Sequence, residues 1–259
     1  MAHYRSVLIT GASSGIGEAL AHALAAAGVT LHLSGRDAAR LHRVAEACRQ
    51  RGATVAEQII DVRDTAAMEA WIGGAGRLDL VVANAGIAAG SGRTDGERLA
   101  STRDILGTNI DGTLNTVLPA MEAMRTQPLG ADGYRGRIAV IASIAAFVAI
   151  PGSPAYCASK AAIDTWTVAS ARAARTAGIG LTSVCPGYIR TPMTDRNRFP
   201  MPGLMEADKA AGIILRGIAA GKIRIAFTWW MAALARIGGL MPPRILGKLL
   251  PTPPGGDPT

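Results

Sequence analysis

Short runs rich in valine, isoleucine and leucine alternate along the chain with longer stretches whose apolar positions recur at helical spacing. Seven runs read as strands: Ser6–Gly11, Thr30–Gly35, Thr54–Asp61, Leu78–Gly86, Arg137–Ser143, Gly180–Gly187 and Ile223–Thr228. Each is brief, and most end in glycine or a small polar residue. Helix signals fall between them. Asp37 is placed to N-cap a helix running through Gln50, which Gly52 closes, and Asp64 is placed to cap the next. This alternation predicts a single α/β domain: a doubly wound parallel sheet of about seven strands, with right-handed crossover helices on both faces. Ligands of such sheets bind beyond the carboxyl ends of the strands, so the residues that follow each strand carry the functional reading.

The first strand runs into Thr10-Gly11-Ala12-Ser13-Ser14-Gly15-Ile16-Gly17 ahead of a helix. Glycine there lets the backbone turn sharply and approach a pyrophosphate, whose charge a helix N-terminus favours. The spacing is G-x-x-x-G-x-G, not the commoner G-x-G-x-x-G, and a turn that merely needs glycine is the plainer alternative. The same residues also satisfy G-x-S-x-G, the nucleophile elbow of serine hydrolases, with Ser13 as the nucleophile. That chemistry needs a histidine late in the chain, yet the histidines are His3, His22, His32 and His42. An elbow on the first strand is also awkward, because it belongs in mid-sheet. The hydrolase reading is the weaker one.

The second predicted strand ends at Ser34-Gly35-Arg36-Asp37. An acid there selects the free ribose of NAD, whereas an arginine accommodates the 2′-phosphate of NADP. Arg36 fills that position and Asp37 is better explained as a helix cap, so NADP(H) is the preferred cofactor. NAD(H), with Asp37 on the ribose, remains the alternative. Ser13 and Ser14 are placed to donate to the same phosphate.

Tyr156 and Lys160 stand four positions apart, on one face of a predicted helix. A free phenol titrates near 10, so at neutral pH it serves as an acid and hardly as a base. A neighbouring ammonium favours the phenolate, and a fall of about 3 pH units corresponds to about 4 kcal/mol. Lys160 and the positive charge of an oxidised nicotinamide are the expected source. Ser143 is expected at the carboxyl end of the fifth strand, where its hydroxyl can hold a substrate oxygen. Singly these are a surface aromatic, a solvated lysine and a strand terminus. Together with the glycine turn they point to hydride and proton transfer.

These motifs occur in a fixed order: Thr10-Gly11-x-x-x-Gly15-Ile16-Gly17, Asp61-Val62, Asn84-Ala85-Gly86, Asn109, Ser143, Tyr156-x-x-x-Lys160, and Pro186-Gly187 followed by Thr191. In that order, from roughly Val7 to Thr191, the chain resembles the short-chain dehydrogenase/reductase (SDR) family. The resemblance implies a Rossmann-like fold and an oxidoreductase acting on a carbonyl/secondary alcohol pair, with reduction the expected direction. It implies that Tyr156 is the general acid/base, that Lys160 lowers its pKa and binds the nicotinamide ribose, and that Ser143 orients the substrate carbonyl. Asn109 would hold a water in a proton relay. Gly11, Gly15, Ile16 and Gly17 would carry the pyrophosphate turn, and Asp61 and Val62 would flank the adenine. Asn84, Ala85 and Gly86 would line the cofactor, and Pro186, Gly187, Ile189 and Thr191 would embrace the nicotinamide. A homodimer or tetramer is implied as well. Two departures stand out. TQPLGADGYRG, after Asn109, reads as a lengthened surface loop, and Ile144-Ala145-Ala146 replaces a stretch where the family often has glycine. A dinucleotide-binding sensor or scaffold without catalysis is the second reading, disfavoured by the complete catalytic set.

The expected division is residues 1–192 as dinucleotide-binding and catalytic core, and 193–259 as substrate lid, last strand and extension of the same domain. The resemblance, which weakens beyond Thr191, implies a lid over Met193–Met205, and its methionines and phenylalanine, with Phe199-Pro200-Met201-Pro202, suit an apolar substrate. The end, Pro251–Thr259, is expected to fray. Composition supports a globular enzyme, with 49% hydrophobic and 18% charged residues. Cys48, Cys157 and Cys185 are too scattered for a disulfide framework or a zinc site, and no metal site is readable. The opening MAHYRSVLIT shows no secretion signal, so a cytoplasmic setting is expected.

Net charge is +8 and unevenly placed. Residues 1–195 hold 18 basic and 16 acidic side chains, residues 196–259 hold 9 and 3, and no acid lies between Lys209 and Gly256. Ala226–Met241 is too short and too broken to span a bilayer. Arg244-Ile245-Leu246-Gly247-Lys248-Leu249-Leu250 sets two cations opposite four aliphatic residues. Such a segment would suit peripheral contact with an anionic membrane; burial against a second subunit or over the substrate cleft is the preferred expectation. No nucleic-acid-binding module accompanies the charge.

Overall fold

A computed structural model of the chain describes residues 4–88, 99–197 and 200–250. Phe199, His3 and the expected frayed end Pro251–Thr259 lie outside the described residues. The strands are β1 (Ser6–Ile9), β2 (Thr30–Gly35), β3 (Thr54–Ile59), β4 (Leu80–Ala83), β5 (Gly136–Ile141), β6 (Ile179–Pro186) and β7 (Arg224–Phe227). They form one parallel sheet in the order β3-β2-β1-β4-β5-β6-β7. All seven expected strands are present, in a Rossmann-like sheet. The order reverses between β1 and β4, which opens a crevice at their carboxyl ends.

The helices are α1 (Gly15–Leu24), α2 (Ala38–Gln50), α3 (Thr65–Gly74), α4 (Leu99–Leu106), α5 (Gly112–Arg125), α6 (Pro154–Thr176), α7 (Ala207–Ala219), α8 (Trp229–Gly239) and α9 (Pro243–Leu249). Both expected caps form. The Asp37 carboxylate accepts the backbone N–H of Arg40 at 3.0 Å, and that of Asp64 accepts the N–H of Ala67 at 3.0 Å. Alternating side chains of each strand go to opposite faces. In β1, Val7 and Ile9 join a core with Leu20, Leu41 and Ile214, while Leu8 joins a second core with Met68, Val117 and Ile163. Burial on both faces is why the strands read as continuous apolar runs.

The segment 126–135 differs from a free surface loop. Gln127 is buried; its amide donates to the carbonyls of Leu78 (3.0 Å) and Arg135 (2.6 Å) and accepts the Leu78 N–H at 2.7 Å. Tyr134 lies between the guanidiniums of Arg137 and Arg175, 3.8 and 3.9 Å from its ring centre. The connection is thus bound to the amino-terminal edge of the sheet, away from the crevice.

Candidate active site

The glycine turn is fixed from below by β4. Thr10 Oγ1 accepts the N–H groups of Asn84 (3.1 Å) and Ala85 (3.2 Å), and Asn84 Nδ2 donates to the carbonyls of Thr10 and Gly11, both at 3.0 Å. Gly11 and Gly15 have φ of +64° and +61°, a region that only glycine enters easily. A Cβ on Gly15 would stand 2.8 Å from the Thr191 methyl, and one on Gly17 would stand 2.4 Å from the Gly11 carbonyl oxygen. Ser14 N-caps α1, yet its side chain makes no capping bond, which leaves the first N–H groups of the helix facing the cleft.

At the end of β2, Gly35 lies against Ser13. Arg36 is largely exposed, with its guanidinium 3.9 Å from Asp61, whose carboxylate is held more closely by Arg63 at 2.7 Å. Those arginines keep the Asp61 carboxyl below its ordinary range, chiefly through the Arg63 hydrogen bond. Asp37 is engaged as cap and ion-pair partner of Arg40, at 2.7 Å. Arg40 also lines the cleft; nothing in the strand-end rule pointed to a residue one turn into α2.

β5 ends two residues before Ser143, which caps a 3-10 turn, Ile144–Phe147, and accepts the Ala145 N–H at 3.1 Å. The alanines that replace the expected glycine lie in this turn. Tyr156 and Lys160 rise from the first turns of α6. Burial pushes the Tyr156 phenol above its ordinary value, opposed by a hydrogen bond with the Ser143 hydroxyl. Lys160 is 4% exposed, and its Nζ donates to the Ile141 carbonyl at 2.8 Å and sits 5.8 Å from the Tyr156 ring centre. Burial lowers its ammonium from 10.5 to about 8. Desolvation is the largest influence on the phenol, and the ammonium is turned to the Ile141 carbonyl.

Asn109 lies in a π-helical turn, Gly107–Asp111, between α4 and α5. It is fully buried. Its amide accepts the Ile87 N–H (2.8 Å) and donates to the Ile87 carbonyl (3.0 Å) and to Ser159 Oγ (2.9 Å). Its side chain is engaged by these three bonds, and its main-chain carbonyl accepts Thr113 Oγ1 at 2.7 Å. One turn beyond Lys160, Asp164 receives Arg224 through two nitrogens (3.0 and 2.7 Å) and Ser183 Oγ at 2.6 Å. This pairing ties α6 to β6 and β7, and the sequence motifs do not include it.

These elements enclose a cleft of about 800 Å³ at the carboxyl edge of the sheet. Most of the expected residues line it, from Gly11, Ser13, Ser14, Gly15 and Ile16 through Arg36, Asp61, Val62 and Asn84–Gly86 to Ser143, Tyr156, Lys160, Pro186, Gly187, Ile189 and Thr191. Gly17 and Asn109 do not; the first lies beneath the turn and the second behind Ile87. The segment after β6 is closed by Thr194, whose hydroxyl donates to the Ile189 carbonyl at 2.6 Å and accepts the Thr191 N–H at 3.0 Å. Among the described residues no His/Cys/Asp/Glu cluster could hold a metal. The glycines whose missing Cβ atoms open the turn, and the N-terminus of α1, where Ser14 makes no side-chain capping bond, fit a dinucleotide.

A parallel sheet with a crevice at its switch point, a glycine turn and a Ser/Tyr/Lys set defines a nicotinamide-dependent oxidoreductase. A profile of the short chain dehydrogenase family matches residues 5–200, and the chain belongs to that family. An oxidoreductase of Myxococcus xanthus is 36% identical over 92% of this chain and 93% of its own. A short-chain type dehydrogenase/reductase of Mycobacterium marinum shares 30% identity and a TM-score of 0.74, covering 86% of this chain and 93% of its own. A short-chain dehydrogenase of Sphingobium yanoikuyae, solved with NADPH, shares 26% identity and a TM-score of 0.76 over 90% and 94%. The family assignment sets aside the Ser13 hydrolase.

Proposed function

We propose that the protein is an NADP(H)-preferring reductase of an apolar ketone or aldehyde, with Tyr156 as the general acid. The observation that carries this reading is the Tyr156 phenol hydrogen-bonded to Ser143 beside the buried Lys160, inside a dinucleotide-sized cleft. The bound nicotinamide supplies the hydride. Ser143 donates a hydrogen bond to the substrate carbonyl oxygen, and the Tyr156 O–H gives that oxygen its proton. A phenol raised by burial is protonated at neutral pH, the state that reduction requires. Lys160, lowered to about 8, still carries its proton at neutral pH and supports the phenolate that forms. Asn109 is a positioning residue: it fixes Ile87 at the cleft wall and Ser159 on α6.

Arg36 is assigned to the 2′-phosphate because Asp37 is occupied as a cap, and the NADPH complex of the Sphingobium relative is in keeping with that choice. Residues 1–192 form the core in this reading and 193–259 the lid and extension, where Met193 at the cleft suits an apolar substrate. Assembly as a homodimer or tetramer in the cytoplasm completes it. The test is Tyr156→Phe: NADPH affinity is retained, while reduction across a carbonyl panel falls by about 10²–10⁴-fold. Full activity in that variant would remove Tyr156 from proton transfer.

A further inference from the structure

Helices α8 and α9 leave a broad apolar surface uncovered. Trp229, Ala233, Arg236, Ile237 and Leu240 follow helical spacing along the outer face of α8. Trp229 and Leu240 are 78% and 87% exposed, and Leu234, Ile237, Ile245 and Leu249 are half-exposed or more. The inner face is anchored: Ala232, Gly238 and Leu246 are buried, and Arg236, itself exposed, reaches back to stack on Phe147 at 4.3 Å. The exposure therefore belongs to a packed surface.

Its charge is of one sign. Arg236, Arg244 and Lys248 are exposed, and among the described residues none forms an ion pair. No acid occurs between Lys209 and Gly256. In a two-fold contact with a second copy this patch would meet itself, three cations against three with no carboxylate between them. An anionic lipid surface supplies the missing charge, receives the aliphatic side chains below its headgroups, and accepts tryptophan at the boundary. Among the described residues no helix is long and apolar enough to cross a membrane, so contact would be peripheral.

We propose that the α8–α9 face docks on anionic lipid bilayers. Docking leaves the dinucleotide site outside the contact while keeping it close, since Met231 on the same helix packs within 3.5 Å of a Cβ built on Gly187. The test is flotation of the full-length protein with vesicles of phosphatidylcholine alone, or with added phosphatidylglycerol, at low and high salt. The expected result is flotation with the phosphatidylglycerol vesicles at low salt only. Trp229→Ser with Leu240→Ser abolishes it, and Arg244→Gln with Lys248→Gln weakens partitioning roughly thirtyfold, at about fivefold per cation. All four side chains are exposed, and unchanged thermal melts verify that the variants fold. Absence of flotation, equal flotation with both lipids, or no effect of either variant overturns the proposal. So does a fall in solution mass in the Trp229/Leu240 variant when the parent does not float, which assigns the face to a second copy.

Discussion

Replacing Lys160 by methionine should stabilise the protein at neutral pH while destroying its activity. Burial lowers the Lys160 ammonium from 10.5 to about 8, so the folded chain binds fewer protons than the unfolded chain between those values. Stability tied to this group therefore rises with pH across that window, and the full cost of the buried charge is present below pH 8. At about 1.4 kcal/mol per pH unit, the cost at pH 7 is about 3 kcal/mol, and by pH 10 about 1 kcal/mol remains. Methionine removes the charge but leaves the Ile141 carbonyl without its 2.8 Å donor, a loss of about 1–2 kcal/mol.

The variant should thus be more stable than the parent by about 1–2 kcal/mol at pH 7, a rise in Tm of about 2–8 °C. At pH 10 it should be equal or slightly weaker. Urea denaturation of both proteins at pH 7 and pH 10, free of dinucleotide because cofactor binds only the folded state, reads this directly. The difference between the two proteins cancels every other alkaline titration. It should shift by about 2–3 kcal/mol between the two pH values, whatever the lost hydrogen bond is worth. A difference that does not vary with pH would refute the buried-ammonium argument. So would a variant weaker than the parent at pH 7.

Two further outcomes follow from the cleft. Arg36→Ala should weaken NADPH binding about ten- to hundredfold and leave NADH binding unchanged, by equilibrium titration at one fixed salt; NADH bound as tightly as NADPH or more so, with no loss in the variant, would return the ribose to Asp37. Gly17→Ala would drive a methyl into the Gly11 carbonyl oxygen at 2.4 Å and Asn84 Nδ2 at 2.6 Å. The turn must then shift, at about 1–3 kcal/mol, and a thermal melt together with a dinucleotide titration should show both lower stability and weaker binding.

The strands were legible because the sheet is covered on both faces, which turns each strand into an unbroken apolar run. Their carboxyl ends were read too long, at Gly11, Gly86 and Ser143, for a reason tied to function: small residues that leave the ladder to line a cleft look like the strand's own terminus. The site residues were legible wherever chemistry and spacing coincide within one element, as in Tyr156 and Lys160 or the glycine turn. The pairings that hold them were not. Gln127 with Leu78, Asn109 with Ile87 and Asp164 with Arg224 join positions 49, 22 and 60 apart, and only the strand order brings them together. The surroundings of the phenol were hidden for a related reason. From the sequence, Lys160 is an ammonium one turn from Tyr156 and should draw its pKa down. In the fold both groups are desolvated, the ammonium faces a carbonyl, and burial raises the phenol while lowering the lysine. Both shifts favour the uncharged forms. The same burial that costs stability at Lys160 holds the Tyr156 phenol in its protonated form.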